Sequence, residues 1–314
     1  VATALANGIT IAYETQGDPH DPPVLLVMGL GMQLTSWPQD FVDGLVEQGY
    51  YVIRFDNRDS GLSSKLRQHG TPSMTLTWLK SLVRWPIKSP YTLHDMADDA
   101  RGLLDFLGIP KAHVVGVSMG GMIGQIFAAC HAERTLSLTS IMSSSGRRGL
   151  PGPTPVARKA IMRMPADPRD RDQVVEHMVQ TLRTIGSPAY PTPEKLLRTK
   201  IHQALDRNTC PDGIARQMVA IVACGDRTPL LAAINCPAMV IHGAADPLVP
   251  LACGEDTAMA IPNASMHVIE GMGHDLPPQL IERLIALIDA HLHGKMELND
   301  KLPSTRRAGS DTHY

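Results

Sequence analysis

The stretch Gly116-Val117-Ser118-Met119-Gly120-Gly121 carries the side chain best placed by its neighbours to attack a carbonyl group. A serine with glycine two positions away on either side suits a turn so tight that a side chain at those positions would collide. The apolar run His113-Val114-Val115-Gly116-Val117 precedes it, and residues 119–129, small and apolar, follow. That context reads as strand, turn and helix with Ser118 at the bend, and it gives weight to an otherwise short motif. The amino end of the helix starting at Met119 would face negative charge developing on an attacked carbonyl oxygen.

A serine hydroxyl needs a base at neutral pH. Of 13 histidines, His274 ends Gly271-Met272-Gly273-His274, directly after the apolar run Met266-His267-Val268-Ile269. In a parallel sheet the loops that leave the strands share one edge, so His274 and Ser118 belong together. A base needs an acid to fix its tautomer and stabilise its cation. Asp246, in Gly243-Ala244-Ala245-Asp246-Pro247, follows the run Ala238-Met239-Val240-Ile241 and reaches the same edge. Asp226 is a weaker choice at the return of a helical stretch, and Asp275 lies too close to His274 to reach round its ring. His242 reads as a loop-packing residue, and His113 and His267 as structural. His291 and His293 lack a third ligand for a metal.

An acyl-transfer site also needs two donors for the oxyanion. One is the backbone N–H of Met119. The other is assigned to the N–H of Leu30 in Met28-Gly29-Leu30-Gly31, after the run Val24-Leu25-Leu26-Val27. Gly29-Leu30-Gly31 also starts a dinucleotide fingerprint, but Leu34 stands where its third glycine belongs, so no cofactor is expected. Met28, Met119, Met122 and Met272 fall near these residues. They would line an apolar substrate pocket or simply fill core.

The elements that must hold these residues alternate. Asn7-Gly8 predicts a tight hairpin, and continuous apolar runs predict strands buried on both faces. Helical spacing appears over 37–48, 93–107 and 276–292. The chain therefore predicts an α/β fold with a mostly parallel sheet. Core residues are assigned to 1–144 and 230–294. Between them, 145–229 shows amphipathic helices and Pro/Gly-rich joints but no strand run, and predicts a helical cap. Residues 66–90, with Trp78 and Trp85, read as a smaller insertion on the same side. The polar tail 295–314 predicts disorder.

Bulk properties narrow the partners. Formal net charge is −2, from 29 Lys and Arg against 31 Asp and Glu, so no overall basic excess suggests nucleic acid or membrane. No apolar run reaches the roughly 18 residues of a membrane span. The five cysteines include no C-x-x-C pair and suggest reduced thiols in the cytoplasm, although a start at Val1 leaves room for a removed signal peptide. A monomer or homodimer is expected.

Taken together, Met28-Gly29-Leu30-Gly31, Arg54-Phe55-Asp56-Asn57-Arg58-Asp59-Ser60-Gly61-Leu62-Ser63, the Ser118 turn, His242-Gly243-Ala244-Ala245-Asp246-Pro247 and Gly273-His274 resemble the α/β-hydrolase fold family. The Met-Gly opening and the Asp-x-Arg-Asp-x-Gly stretch are similar to the branch with anthracycline methylesterases and related bacterial carboxylesterases. Many members carry His-Gly in place of Met28-Gly29 and Arg-Gly in place of Arg58-Asp59. These departures imply a changed pocket floor, while Asp56 and Arg58 are expected to brace their loop. The resemblance implies an eight-stranded sheet and hydrolysis of a carboxylic ester of an apolar small molecule through an acyl-enzyme. The same triad also serves lactone (including macrolide) opening, carbon–carbon bond hydrolysis and cofactor-free perhydrolysis, and a ligand-binding protein with little turnover is the alternative of another class.

Overall fold

The structure is a computed structural model that describes residues 1–83 and 85–294. The expectation for the tail 295–314 lies outside the described residues. The chain opens with the expected hairpin, β1 (Ala2–Ala6) and β2 (Ile9–Gln16), joined at Asn7 and Gly8, both with positive φ. Then follow β3 (Pro23–Val27), α1 (Gln39–Glu47), β4 (Tyr51–Phe55), α2 (Met74–Leu82), α3 (Leu93–Phe106), β5 (Ala112–Val117), α4 (Met119–Cys130) and β6 (Thr135–Ile141). The helix expected from Trp37 starts instead at Gln39. Pro38 holds the residue before it in an extended conformation, and Trp37 sits at ψ 122°.

Five helices follow with no strand among them: α5 (Pro155–Met162), α6 (Arg171–Ile185), α7 (Glu194–Arg207), α8 (Pro211–Cys224) and α9 (Thr228–Leu231). Two of them share a small core of their own, Val175 and Val179 of α6 against Ile201 of α7. The sheet resumes with β7 (Ala238–Gly243), α10 (Leu251–Ala260) and β8 (Ser265–Ile269), and α11 (Ile281–Leu292) closes the fold.

Among the described residues eight strands form one sheet in the order β1-β2-β4-β3-β5-β6-β7-β8. The first two pair antiparallel, and β4, β3, β5, β6, β7 and β8 run parallel. The continuous apolar runs have the predicted reason. Leu25 and Val27 enter one core with α3 and α4, while Val24 and Leu26 enter the opposite core with α1 and α11. Burial of each such leucine contributes about 1.5–3 kcal/mol. From β3 the chain moves outward to β4 on one side, and β5 lies on the other. The winding direction therefore reverses between β3 and β5, and the loops leaving their carboxyl ends diverge to leave a crevice. Leu30 follows β3 and Ser118 follows β5, so the fold puts both at that crevice.

Among the described residues no helix is long and apolar enough to cross a membrane. All five cysteines are free thiols. The two histidines near the end of α11 serve packing. His291 is buried with Nε2 donating to the Leu138 carbonyl (3.2 Å), and His293 lies beside Tyr50 and Asp289. Burial holds the His291 imidazole down at about 4. The unfolded chain therefore takes up a proton there that the folded chain refuses. This contribution to stability is complete above about pH 6.5 and is lost as pH falls toward 4, at about 1 kcal/mol per pH unit near pH 5. Thermal unfolding between pH 7 and pH 5 tests this. The fall in Tm should be shallower in His291→Gln, and an equal slope in both proteins would overturn the assignment.

Candidate active site

Ser118 sits between β5 and α4 at φ 56°, ψ −119°, a region costly for a residue with a side chain. The surroundings over-determine it. Its N–H donates to the Ile141 carbonyl (2.9 Å), and its carbonyl accepts from the N–H groups of Gly121 (3.0 Å) and Met122 (3.2 Å) and from the Ser143 hydroxyl (2.8 Å). A Cβ on Gly116 would strike the Gly120 carbonyl, and one on Gly120 would strike the Val27 carbonyl, both rigid backbone. Both glycines of the motif are thus required by close approach. The strand, turn and helix expected from the sequence are all present.

His274 Nε2 lies 3.0 Å from Ser118 Oγ, and His274 Nδ1 lies 2.7 Å from Asp246 Oδ2. A carboxylate oxygen only accepts, so Nδ1 carries the proton and Nε2 is left to accept from the serine hydroxyl. The other oxygen of Asp246 accepts from the N–H groups of Leu248 (2.9 Å) and Val249 (2.8 Å), which fixes the carboxylate. The Asp246 side chain is wholly buried, while Ser118 remains partly open to solvent. His242 packs the acid loop as expected. It is buried, donates from Nε2 to the Val249 carbonyl (2.8 Å), and is held below the usual histidine range by burial.

The structure gives the weaker acids other hydrogen-bond partners. Asp226 caps the short turn at Thr228, with bonds of 2.9 Å to its N–H and 2.7 Å to its hydroxyl. Asp275 accepts from the Ser187 hydroxyl at 2.5 Å, and burial pushes its carboxyl up. His113 bonds Ser137 (2.8 Å). His267 lies within β8.

The Leu30 loop comes close to Ser118: a Cβ on Gly29 would stand 3.3 Å from Ser118 Cβ and 3.8 Å from its Oγ. Met119 is the first residue of α4, so its N–H has no partner within the helix. The four methionines join the two main cores, none more than a tenth exposed, so ordinary core filling accounts for them.

Sequence reasoning missed the polar residues that the five-helix stretch turns inward. Gln217 of α8 is fully buried, accepts from the Gly31 N–H (2.8 Å) and donates to the Arg58 carbonyl (2.7 Å), so it buttresses the loop that carries Leu30. Its neighbour Arg216 donates from Nε and Nη2 to the two oxygens of Asp59, both at 2.8 Å, with both side chains at most 1% exposed. Burial works against the Asp59 carboxylate, but Arg216, the Leu66 N–H and the Tyr91 hydroxyl together hold it below the usual range. The departure Arg58-Asp59 thus ties the core to α8. Asp56 braces its loop through the N–H groups of Leu34 (2.7 Å) and Leu62 (2.8 Å) and pairs with Arg207 of α7 (2.7 Å). Arg58 turns the other way, to Asp99 (2.6 Å). On the opposite flank, the His274 N–H donates to Ile185 (2.7 Å) and the Gly273 N–H to the Ser187 hydroxyl (2.9 Å).

A doubly flanked, mostly parallel sheet with a serine elbow at its switch point defines the α/β class of hydrolases. The chain belongs to the alpha/beta hydrolase fold family, which residues 22–278 match. It is 31% identical to rhodomycin D methylesterase DnrP of Streptomyces peucetius over 90% of this chain and 95% of that protein. It is 25% identical to 3-oxoadipate enol-lactonase 2 of Acinetobacter baylyi, over 85% and 88% of the two chains. Among solved structures, the enol-lactonase from Burkholderia xenovorans LB400 superposes with a TM-score of 0.70 at 26% identity, covering 93% of this chain and 100% of that one. By class the chain is a carboxylic ester hydrolase.

Proposed function

We propose that Ser118, His274 and Asp246 hydrolyse the carboxylic ester of an apolar small molecule through an acyl-enzyme. The unbroken contact chain from Ser118 Oγ to His274 (3.0 Å) and on to Asp246 (2.7 Å) carries this reading. Ser118 Oγ attacks the carbonyl carbon while His274 Nε2 takes its proton. The Leu30 and Met119 N–H groups hold the oxyanion. The intermediate then expels the alcohol, which receives the proton from His274. Water, activated by the same nitrogen, attacks the acyl-serine and releases the acid. Asp246 stays ionised throughout and stabilises the imidazolium. Residues 145–229 act as a cap over this edge of the sheet.

Similarity to the rhodomycin D methylesterases of two Streptomyces strains favours a methyl ester as the substrate. Lactone opening is the second reading, favoured by the enol-lactonase relative. Incubation with a fluorophosphonate tests the nucleophile: one adduct is expected, on the peptide that carries Ser118, and an adduct elsewhere or none would overturn the assignment. Turnover of rhodomycin D and of 3-oxoadipate enol-lactone, run side by side, decides the substrate class. Hydrolysis of the lactone alone would replace the ester reading while leaving the triad intact.

A further inference from the structure

Helix α2 is built inside out. Its one buried side chain is Thr77, whose hydroxyl donates to the Ser73 carbonyl (2.9 Å). Leu76, Trp78, Leu79, Leu82 and Val83 are exposed, and so is Trp85 just beyond the helix, the two tryptophans by 61% and 67%. Soluble surfaces seldom present so many large apolar side chains together unless something covers them. Its main contact is with α8, which leaves the rest of its surface open.

Charge identifies the cover. The chain as a whole is nearly neutral, but from Ser60 to His94 it has five basic residues, Lys65, Arg67, Lys80, Arg84 and Lys88, and not one Asp or Glu. Lys65 is spent on the carbonyls of Ser60, Gly61 and Ser63. Arg67 and Lys88 are exposed and Lys80 half-exposed, and none of the three has an ion-pair partner among the described residues. A second copy of this face would set these cations against their own kind, at a cost in repulsion. A bilayer rich in anionic phospholipid matches both features. Leucine, valine and tryptophan side chains enter the headgroup boundary, and lysine and arginine meet the phosphates.

We infer that α2 and residues 85–88 form a peripheral docking surface for an anionic phospholipid membrane. The surface lies beside α8, whose Gln217 supports the loop at the crevice, so docking brings the site to a phase that concentrates apolar molecules.

Flotation of the whole chain with phosphatidylglycerol–phosphatidylcholine vesicles and with phosphatidylcholine vesicles tests it. The chain should float with the anionic vesicles only and be released by high salt. Of three tryptophans Trp37 is buried, so a blue shift of emission on binding reports Trp78 and Trp85. Lys80→Glu/Lys88→Glu should lower vesicle binding about tenfold or more and leave hydrolysis of soluble p-nitrophenyl acetate unchanged. Failure to float with anionic vesicles, or equal flotation with neutral ones, would overturn the inference. So would a dimer in sedimentation that Trp78→Ser/Trp85→Ser dissociates in a chain that ignores vesicles; that result would make the face a self-interface.

Discussion

Ser118→Ala should lower kcat on p-nitrophenyl esters by about 10⁴- to 10⁶-fold while the chain keeps its Tm. The loss is large because nucleophile and base act as one unit. Without the hydroxyl, His274 Nε2 has no proton to take, and only the proposed oxyanion donors and substrate binding continue to favour the reaction. The fold should not notice the change. What holds Ser118 at φ 56° are bonds to its backbone, from Gly121, Met122 and Ser143 and to Ile141, and alanine keeps all of them. Steady-state kinetics with active-site titration check the prediction. Activity within tenfold of wild type would mean that another group attacks the carbonyl.

Arg216→Ala should cost about 3–5 kcal/mol of stability, because it leaves the buried Asp59 carboxylate without its counter-ion. For a chain of this size the fall in Tm is on the order of 10 °C. Water and the Tyr91 hydroxyl cannot replace two charged bonds at 2.8 Å. Removing both partners behaves differently. Asp59→Gly/Arg216→Leu deletes the charge that would be stranded, fills part of the space, and places glycine at a backbone φ of 67° that favours it. The double variant should regain most of the lost stability. If its loss instead equals the sum of the two single losses, the pair is not coupled and the ion pair is not what fixes Asp59.

The sheet was legible because two-sided burial leaves a plain mark: four apolar residues in a row at Val24-Leu25-Leu26-Val27, with each alternate side chain entering a different core. The order Ser118, Asp246, His274 followed from position, since each residue falls just after a strand run and parallel strands share an edge. Two kinds of residue escaped this reasoning. Arg216 and Gln217 lie in an amphipathic helix, where charge and amide read as solvent-facing by default; only the tertiary partners Asp59 and Gly31 turn them inward. In α2 the apolar spacing is genuinely helical, but helical spacing does not say which face meets protein, and here the polar Thr77 does. For the four methionines, position in the sequence left pocket lining and core filling both open, and burial in the two main cores favours the second.

The five-helix stretch is bonded into the reactive loops on two flanks, at Gly31 through Gln217 and at Gly273 and His274 through Ser187 and Ile185. It is therefore not an interchangeable module. A replacement stretch without counterparts of Gln217, Arg216 and Ser187 would remove the acceptor of the Gly31 N–H, strand Asp59 and leave the Gly273 N–H unpaired in a single exchange. The stretch and the loops of the proposed site are thus held as one piece, and a change in the first is transmitted to the second.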